Sequence, residues 1–329
     1  MLLQVRDLHV TLPDQGHRLH AVRGIDLDVA AGETLCLVGE SGCGKSMTAL
    51  ALMRLLPKGA ALSSAKLQLD DLNLSDLSER KLSGIRGRRL SMIFQEPMTA
   101  LNPVFTIGDQ LCSVYRRHTG VGKSAAQKRA IEMLENVGLT NAALRMRQYP
   151  HQLSGGLRQR VLIAMALMCE PEMIICDEPT TALDVTTQAQ ILRILKEAQQ
   201  SRNMGMIFIT HDLGVVARIA DQVAVMYAGR IVEHGPREAV LRNPAHPYTK
   251  GLIASVPRPQ GDEPGTTRLA SIPGNVPAFH QPDARCPFLS RCAHRMEVCF
   301  KEAPPVRQMP TGQRSACHLP LSAQEAQHP

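Results

Sequence analysis

Two kinds of apolar pattern follow one another along the chain, and their order predicts an α/β protein. Short apolar runs, typical of strands buried on both faces, cover residues 35–38, 91–94, 173–176 and 206–210. Segments with helical spacing separate them, such as one that we expect to begin with Ser124 as N-cap and to end at Gly138. Strands that alternate with helices predict a mostly parallel, doubly wound sheet.

Three segments depart from this alternation. Two early strands, Leu2–Leu12 and Val22–Val29, and a hairpin turning at Ala228-Gly229 predict an antiparallel part. The insert between Gln95 and Ser154 has a helical pattern and predicts a lobe at the side of the sheet. Beyond Pro257, prolines recur so often that neither helix nor sheet can continue for long.

Residues 39–46 read Gly-Glu-Ser-Gly-Cys-Gly-Lys-Ser, a complete phosphate loop between an apolar run and the helix-prone stretch Met47–Leu56. The glycines let backbone amides and the helix N-terminus face the phosphates. Lys45 adds a positive charge, and the Ser46 hydroxyl can ligate Mg²⁺. The chain is therefore expected to bind a nucleoside triphosphate.

Two acids, Asp177 and Glu178, end the apolar run 173–176. Open α/β sheets bind ligands at the carboxyl ends of their strands, so we expect these acids beside the phosphate loop. One acid can hold Mg²⁺ through water, and the next can orient the attacking water as a base.

A second candidate anion site lies at Leu153-Ser154-Gly155-Gly156, ahead of a helix-prone run. Ser154 is a good N-cap, and the two glycines let backbone amides approach an anion closely. Because one triphosphate is already cradled by the loop of Lys45, we interpret this helix start as serving the nucleotide of another chain. The alternative is an ordinary capped helix.

These motifs resemble the ATP-binding subunit of ABC transporters over about residues 1–255. The resemblance extends to Gln95 in Phe94-Gln95-Glu96-Pro97, Asp184 in Ala182-Leu183-Asp184 and His211 in Ile209-Thr210-His211-Asp212. It implies an ABC-type nucleotide-binding fold with a mostly parallel sheet core, an antiparallel β subdomain and a helical subdomain at about residues 100–168. Two positions depart from the family pattern: Leu157 stands where glutamine is usual, and Leu12 where an aromatic residue often stacks on adenine, although His17 or His20 could contribute.

The resemblance also implies a role for each site residue. Glu178 is the general base, Gln95 contacts Mg²⁺ and the attacking water, and His211 contacts the γ-phosphate. The residues implied in holding ATP and Mg²⁺ are Gly39, Ser41, Gly42, Cys43, Gly44, Lys45, Ser46, Gln95 and Asp177. The residues implied in contacting ATP across a dimer are Ser154, Gly155, Gly156 and Asp184.

Four of the nine cysteines crowd into the proline-rich tail, at Cys286, Cys292, Cys299 and Cys317. On chemistry alone, an iron–sulfur cluster, zinc and uncoordinated thiols all remain open, although Cys-x₂-Cys pairs typical of zinc ribbons are missing. The tail, residues 256–329, resembles the C-terminal extension of dipeptide and oligopeptide importer ATPases, which begins after a segment like His246-Pro247-Tyr248-Thr249. That resemblance implies a structural [4Fe–4S] cluster.

Composition and charge constrain the partners. The apolar run Val161–Cys169 is short of the roughly 20 residues that span a bilayer, and the N-terminus has no signal pattern, so we expect a peripheral protein on the cytoplasmic face of the cell membrane. The net charge of +7 is scattered, without aromatic interleaving, and we expect no nucleic-acid partner.

The resemblance implies an ATPase that powers uptake of dipeptides or short oligopeptides. Its partners would be a second, similar ATPase chain in a heterodimer, two transmembrane permease subunits that contact the Gln95–Gln110 region, and a substrate-binding protein. Nickel chelates and glutathione are alternative cargoes. A non-transport ABC ATPase is opposed by the single phosphate loop and by the short insert before Ser154, and a vestigial iron–sulfur module by the intact Lys45 and Glu178.

Overall fold

The computed structural model describes residues 1–95, 100–181, 183–256 and 272–320. The chain forms two compact units, and each is discontinuous in sequence. The first unit comprises Met1–Leu3, Asp28–Thr34 and Gln68–Phe208, and the second comprises Gln4–Leu27, Leu35–Leu67 and the described part of Ile209–Pro329.

The strands and helices of the described residues follow the alternation that the sequence predicts. The strands are β1 (Leu3–Asp14), β2 (His17–Val29), β3 (Thr34–Val38), β4 (Ala61–Ser63), β5 (Lys66–Leu69), β6 (Leu72–Asn73), β7 (Leu90–Ile93), β8 (Met173–Asp177), β9 (Gly205–Thr210), β10 (Gln222–Tyr227), β11 (Arg230–Pro236), β12 (Val306–Gln308) and β13 (Arg314–Ala316). The α-helices are α1 (Lys45–Leu52), α2 (Glu79–Ile85), α3 (Ile107–Thr119), α4 (Lys123–Asn136), α5 (Ala142–Arg145), α6 (Gly155–Leu167), α7 (Val185–Arg202), α8 (Leu213–Ile219), α9 (Arg237–Arg242) and α10 (Pro247–Ala254).

In the first unit, the strand order is β9-β8-β7, and β7 and β8 run parallel with Leu90 opposite Met173. Every residue of β7 and β8 is buried, which explains their continuous apolar runs. The segment α3 to α6 confirms the predicted helical insert. The cap predicted at Ser124 is wrong: α4 begins at Lys123 because the Gly122 carbonyl already accepts the Ala126 amide at 3.1 Å.

In the second unit, β3 pairs in parallel with β10, and β10 pairs antiparallel with β11. The β10–β11 turn at Ala228-Gly229 has positive φ at both residues, which confirms the predicted hairpin. Strands β1 and β2 form the early antiparallel pair, and Ile25, Leu27 and Val29 are buried on alternate positions of β2.

The C-terminal part of the second unit adds short regular pieces to the sheet. Strands β12 and β13, of three residues each, pair with one another, and β13 pairs with β11. In the same unit, Tyr227, Tyr248 and Phe288 form an aromatic cluster with ring centroids 4.6–5.4 Å apart. Within the described ranges, no helix combines the length and the apolar character that crossing a membrane requires.

Candidate functional site

The phosphate loop joins the buried strand β3 to helix α1 and depends on its glycines. Gly39, Gly42 and Gly44 have φ of 154°, 78° and 108°. A Cβ on Gly39 would lie 2.2 Å from the Met226 carbonyl oxygen, and one on Gly44 would lie 2.4 Å from the Ala21 carbonyl oxygen. A side chain at either position would therefore displace backbone, so the glycines are required by the shape of the loop itself.

Lys45 opens α1 and is 5 % exposed. Its Nζ donates hydrogen bonds to the carbonyl oxygens of Gly39 at 2.8 Å and Glu40 at 3.0 Å. The ammonium group is thus held inside the turn of the loop, beside the amides of the helix N-terminus. This combination of fixed positive charge and oriented amides is suited to binding phosphate oxygens.

In the first unit, the acidic pair lies at the end of β8. Asp177 is buried, whereas Glu178 is partly exposed and has a φ of 47°, unusual for a residue with a side chain. Glu178 Oε2 accepts hydrogen bonds from Thr181 Oγ1 at 2.9 Å and from Gln95 Nε2 at 3.3 Å. The structure therefore brings together Gln95 and Glu178, two residues that the sequence assigned to the attacking water.

The helix start at Ser154 differs from the expectation in one respect. Ser154 occupies the N-cap position of α6, but its side chain forms no capping hydrogen bond. Ser154 and Gly155 are exposed, and a Cβ on Gly155 would meet no atom within 4 Å. The Ser154 hydroxyl and the first amides of α6 therefore face open space rather than other protein atoms.

Asp184 caps helix α7 through Thr187. Its Oδ1 accepts the Thr187 amide at 2.9 Å, and its Oδ2 accepts the Thr187 hydroxyl at 2.7 Å. These hydrogen bonds lower the pKa of Asp184, so its carboxylate stays ionised. Thr187 Cγ2 also lies 3.1 Å from the position of a Cβ on Gly156. Thr187 therefore connects Asp184 to the helix start, as the shared assignment of these residues requires.

His211, in the second unit, follows β9 and is exposed. The next residue, Asp212, caps α8 by accepting the amides of Gly214 at 2.8 Å and Val215 at 3.3 Å. The capping role that a histidine could have at this helix start is thus taken by Asp212. Residues 96–99 of the predicted permease-contact region and Ala182 lie outside the described residues.

The four tail cysteines line one small cavity of about 20 Å³, together with His246 and Phe288. Burial, and to a lesser degree the neighbouring thiols, raise the pKa of Cys286 to about 11. Over the part of the chain that the structure describes, no three His, Cys, Asp or Glu side chains converge closely enough to hold a metal ion. The thiols therefore share a cavity wall without being gathered around one point.

His246 adds a polar atom to that cavity. It is 1 % exposed, and its Nδ1 accepts the Tyr248 amide at 3.1 Å. Burial lowers the pKa of His246 to about 3, so the ring is neutral and its proton is on Nε2. Among the described residues, no hydrogen-bond partner reaches Nε2. A buried donor without a partner is rare and indicates that the cavity is suited to a further acceptor, such as sulfur.

Sequence reasoning missed Thr181 and Thr187, which contact the assigned Glu178 and Asp184. It also missed Tyr248 and Arg291, which contact Glu40 of the phosphate loop. The spacing of Asp184 and Thr187, which is that of an N-cap and its third helical residue, could have identified Thr187. The contacts of Tyr248 and Arg291 with the phosphate loop join positions more than 200 residues apart, and no local pattern signals them.

Comparisons with known proteins agree with this geometry. Residues 22–181 match the ABC transporter family, and residues 232–299 match the C-terminal region of oligopeptide/dipeptide transporters. The chain is 50 % identical to the dipeptide transport ATP-binding protein DppD of Bacillus subtilis, over 92 % of this chain and 90 % of the relative. It is 46 % identical to the oligopeptide transport ATP-binding protein OppD of Salmonella typhimurium, over 98 % and 94 %.

Among solved structures, the chain is similar to a dimeric post-hydrolysis state of the ATP-binding cassette MJ0796 bound to ADP and Pi. The TM-score is 0.64 at 25 % identity, over 71 % of this chain and 98 % of that chain. The motif residues, the two units and these relatives lead to one assignment. The chain belongs to the ABC transporter family and carries the C-terminal region of its oligopeptide and dipeptide transporters.

Proposed function

We propose that this chain is the ATP-hydrolysing subunit of an importer of dipeptides or short oligopeptides. The proposal rests on a phosphate loop that is folded around Lys45. This loop occurs in a chain of which 92 % aligns with a dipeptide transport ATP-binding protein. The ATPase domain would comprise residues 1–255, with its helical subdomain at about 100–168, and the extension residues 256–329.

In this proposal, the phosphate loop of the second unit binds ATP. Lys45 and the backbone amides of residues 41–46 hold the β- and γ-phosphates, and His211 contacts the γ-phosphate. By resemblance to the family, Mg²⁺ would be held by Ser46 and, through water, by Asp177, would be contacted by Gln95, and would neutralise charge that develops on the phosphates.

Hydrolysis falls to Glu178. Its carboxylate takes a proton from the water that attacks the γ-phosphorus, and the bond to the β-phosphate oxygen breaks to release ADP. The hydrogen bonds from Thr181 and Gln95 to Glu178 Oε2 support this role, because they orient the carboxylate.

The helix start at Ser154 supplies the other half of a nucleotide site on a second ATPase chain. Its exposed hydroxyl, the amides of Gly155 and Gly156, and Asp184 behind them would close over that chain's triphosphate. ATP binding would then join two such chains, and hydrolysis would separate them. By resemblance to the family, we expect the second chain to be a similar but distinct ATPase.

The remaining partners follow from the same assignment. Two transmembrane permease subunits would contact the Gln95–Gln110 region, and a substrate-binding protein would deliver the peptide to them. The chain itself would be peripheral, on the cytoplasmic face of the cell membrane. Nothing in its scattered positive charge calls for nucleic acid.

The four cysteines of the extension would hold a [4Fe–4S] cluster. The shared cavity and the unpartnered donor of His246 support this, since cluster sulfur accepts hydrogen bonds. Binding the cluster would draw together thiols that do not converge on one point in this structure. When bound, the cluster would tie together chain segments that have little regular structure of their own.

Iron, acid-labile sulfide and zinc contents of the purified protein test the cluster. We expect a brown protein with iron and sulfide in equal amounts. A Cys286→Ser variant should lose both, whereas Cys169→Ser, a half-buried cysteine of the first unit, should lose neither. A colourless protein with one zinc per chain would exclude the cluster.

The ATPase role is tested by Glu178→Gln in the assembled transporter. Phosphate release should fall by about 10²–10⁴-fold, the usual contribution of a general base, while ATP binding persists. Glu197→Gln, an exposed carboxylate on α7, is the matched control and should leave turnover unchanged. Unchanged phosphate release in Glu178→Gln would overturn the assignment.

A further inference from the structure

The phosphate loop contains a carboxylate that should oppose its own ligand. Glu40 follows Gly39, and its backbone carbonyl accepts a hydrogen bond from Lys45 Nζ at 3.0 Å. A negative charge within a few residues of bound phosphates would repel them through a partly desolvated medium. The side chain of Glu40 must therefore be neutralised or directed away for the loop to bind triphosphate well.

Arg291 meets this requirement. Its Nη1 donates to Glu40 Oε2 at 2.6 Å and its Nη2 to Glu40 Oε1 at 3.0 Å, a two-point pair in which the arginine side chain is 5 % exposed and the glutamate 28 %. Such paired hydrogen bonds fix direction as well as charge. The carboxylate is thus held by the C-terminal extension, although the two residues are 251 positions apart.

The guanidinium group is itself fixed. Nε donates to the Pro273 carbonyl at 2.8 Å, Nη2 to the Ile272 carbonyl at 2.9 Å, and Nη1 to the Tyr227 hydroxyl at 3.3 Å. These partners lie in two separate stretches of the second unit's chain, residues 272–273 and Tyr227. Arg291 therefore has one defined position, and Glu40 is attached to it.

The backbone of Glu40 is held by a second contact from the same side. Its amide donates to the Tyr248 hydroxyl at 2.9 Å. Tyr248 is fully buried, and its ring packs on Tyr227 and on Phe288, which lies between Cys286 and Cys292. The amide of Glu40 is thereby committed to Tyr248 of α10, so the amides that face phosphate begin at Ser41.

We propose that Arg291 is a positioning residue for the phosphate loop: by holding the Glu40 carboxylate, it sets the charge and shape with which the loop meets triphosphate. The inference rests on the proposed role of Lys45 and its loop in ATP binding. The extension would then influence nucleotide affinity through Arg291, whether or not its cysteines hold a bound group. Because Arg291 directly precedes Cys292, anything that displaces this cysteine also displaces the positioning contact.

The test measures the dissociation constant of Mg·ATP for the purified full-length chain by calorimetry. Arg291→Ala should weaken ATP binding about tenfold, because the Glu40 charge is left uncompensated. Arg291→Lys keeps the charge without the paired geometry and should weaken it about threefold. Glu40→Gln should bind ATP about as well as the unmodified chain.

The double variant separates charge from folding. In Glu40→Gln/Arg291→Ala, no opposing carboxylate remains, so ATP affinity should return to within about twofold of the unmodified value. ATP affinity should also return to this range in Glu40→Gln/Arg291→Lys. This double variant replaces the first one if Arg291→Ala does not fold. Arg285→Ala, which removes an exposed pair with Asp283 in the same extension, is the control and should have no effect.

Three outcomes overturn the inference. ATP affinity could be unchanged in both Arg291 variants, Glu40→Gln could fail to restore it, or Arg285→Ala could reduce it as much as Arg291→Ala does. Each presupposes that the unmodified chain binds ATP. If the unmodified chain binds no ATP, the proposed function fails instead, so the two failures are distinguishable.

Discussion

The phosphate loop of the second unit and the helix start at Ser154 in the first unit both present backbone amides to an anion, but only the former is built around its own charge. In the loop, Lys45 is buried and bonded to two carbonyls, and neighbouring backbone lies within 2.4 Å of where two glycine side chains would begin. At the helix start, Ser154 makes no capping bond and Gly155 faces open space.

This difference teaches how much of each site the chain completes alone. The loop has a charge and a fixed backbone, so it can bind an anion without help. The helix start offers donors, but Arg158 of α6 donates its Nε to the Pro150 carbonyl at 2.7 Å. It is suited to adding contacts to an anion that another chain already holds, which is the arrangement proposed above.

The largest effect is expected from the loop's cation. Lys45→Ala removes the charge-assisted hydrogen bonds to phosphate and should raise the ATP dissociation constant of the isolated chain about a hundredfold. Calorimetry measures this, with Lys58→Ala, an exposed lysine of the same unit, as the control. An equal loss of ATP affinity in both variants would contradict the claim that the phosphate loop is built around the charge of Lys45.

The next effect separates the two sites by glycine substitution. Gly39→Ala forces a Cβ against the Met226 carbonyl and should lower the free energy of unfolding by about 2 kcal/mol. Gly155→Ala meets no atom and should change it by less than about 1 kcal/mol in either direction. Urea unfolding midpoints compare the two, and equal losses would contradict the description of Gly155 as facing open space.

The smallest effect tests the helix start itself. Because Ser154 makes no capping bond, Ser154→Ala should leave stability within about 0.5 kcal/mol and leave ATP binding by the isolated chain unchanged. Phosphate release by the assembled transporter should fall about tenfold, because one hydrogen bond to a charged group is lost. A loss of about 1 kcal/mol in stability with unchanged turnover would identify an ordinary N-cap instead.

The sequence predicted those parts of the molecule that depend on local patterns. The loop spacing located Lys45, and the Ala228-Gly229 turn predicted its hairpin, because glycine positions and alternation are read within a few residues. Helix ends were less accurate: the helix expected over Met47–Leu56 runs from Lys45 to Leu52, because Arg54 takes up a positive φ.

The sequence did not predict contacts between segments that are far apart along the chain. The pair of Arg291 and Glu40 depends on how the extension folds back on β10 and α10, which no spacing reports. The same holds for the cavity of the four cysteines. Their clustering in sequence was visible, whereas their common cavity with His246, which precedes them by 40 residues or more, depends on packing.

The left-handed backbone at Glu178 sets stability against activity. A residue with a side chain costs about 1 kcal/mol in this conformation, and glycine would avoid that cost. Selection for a robust fold alone would therefore favour glycine at the end of β8. In the catalytic role proposed for Glu178, a carboxylate at this position would exchange some thermal robustness for turnover.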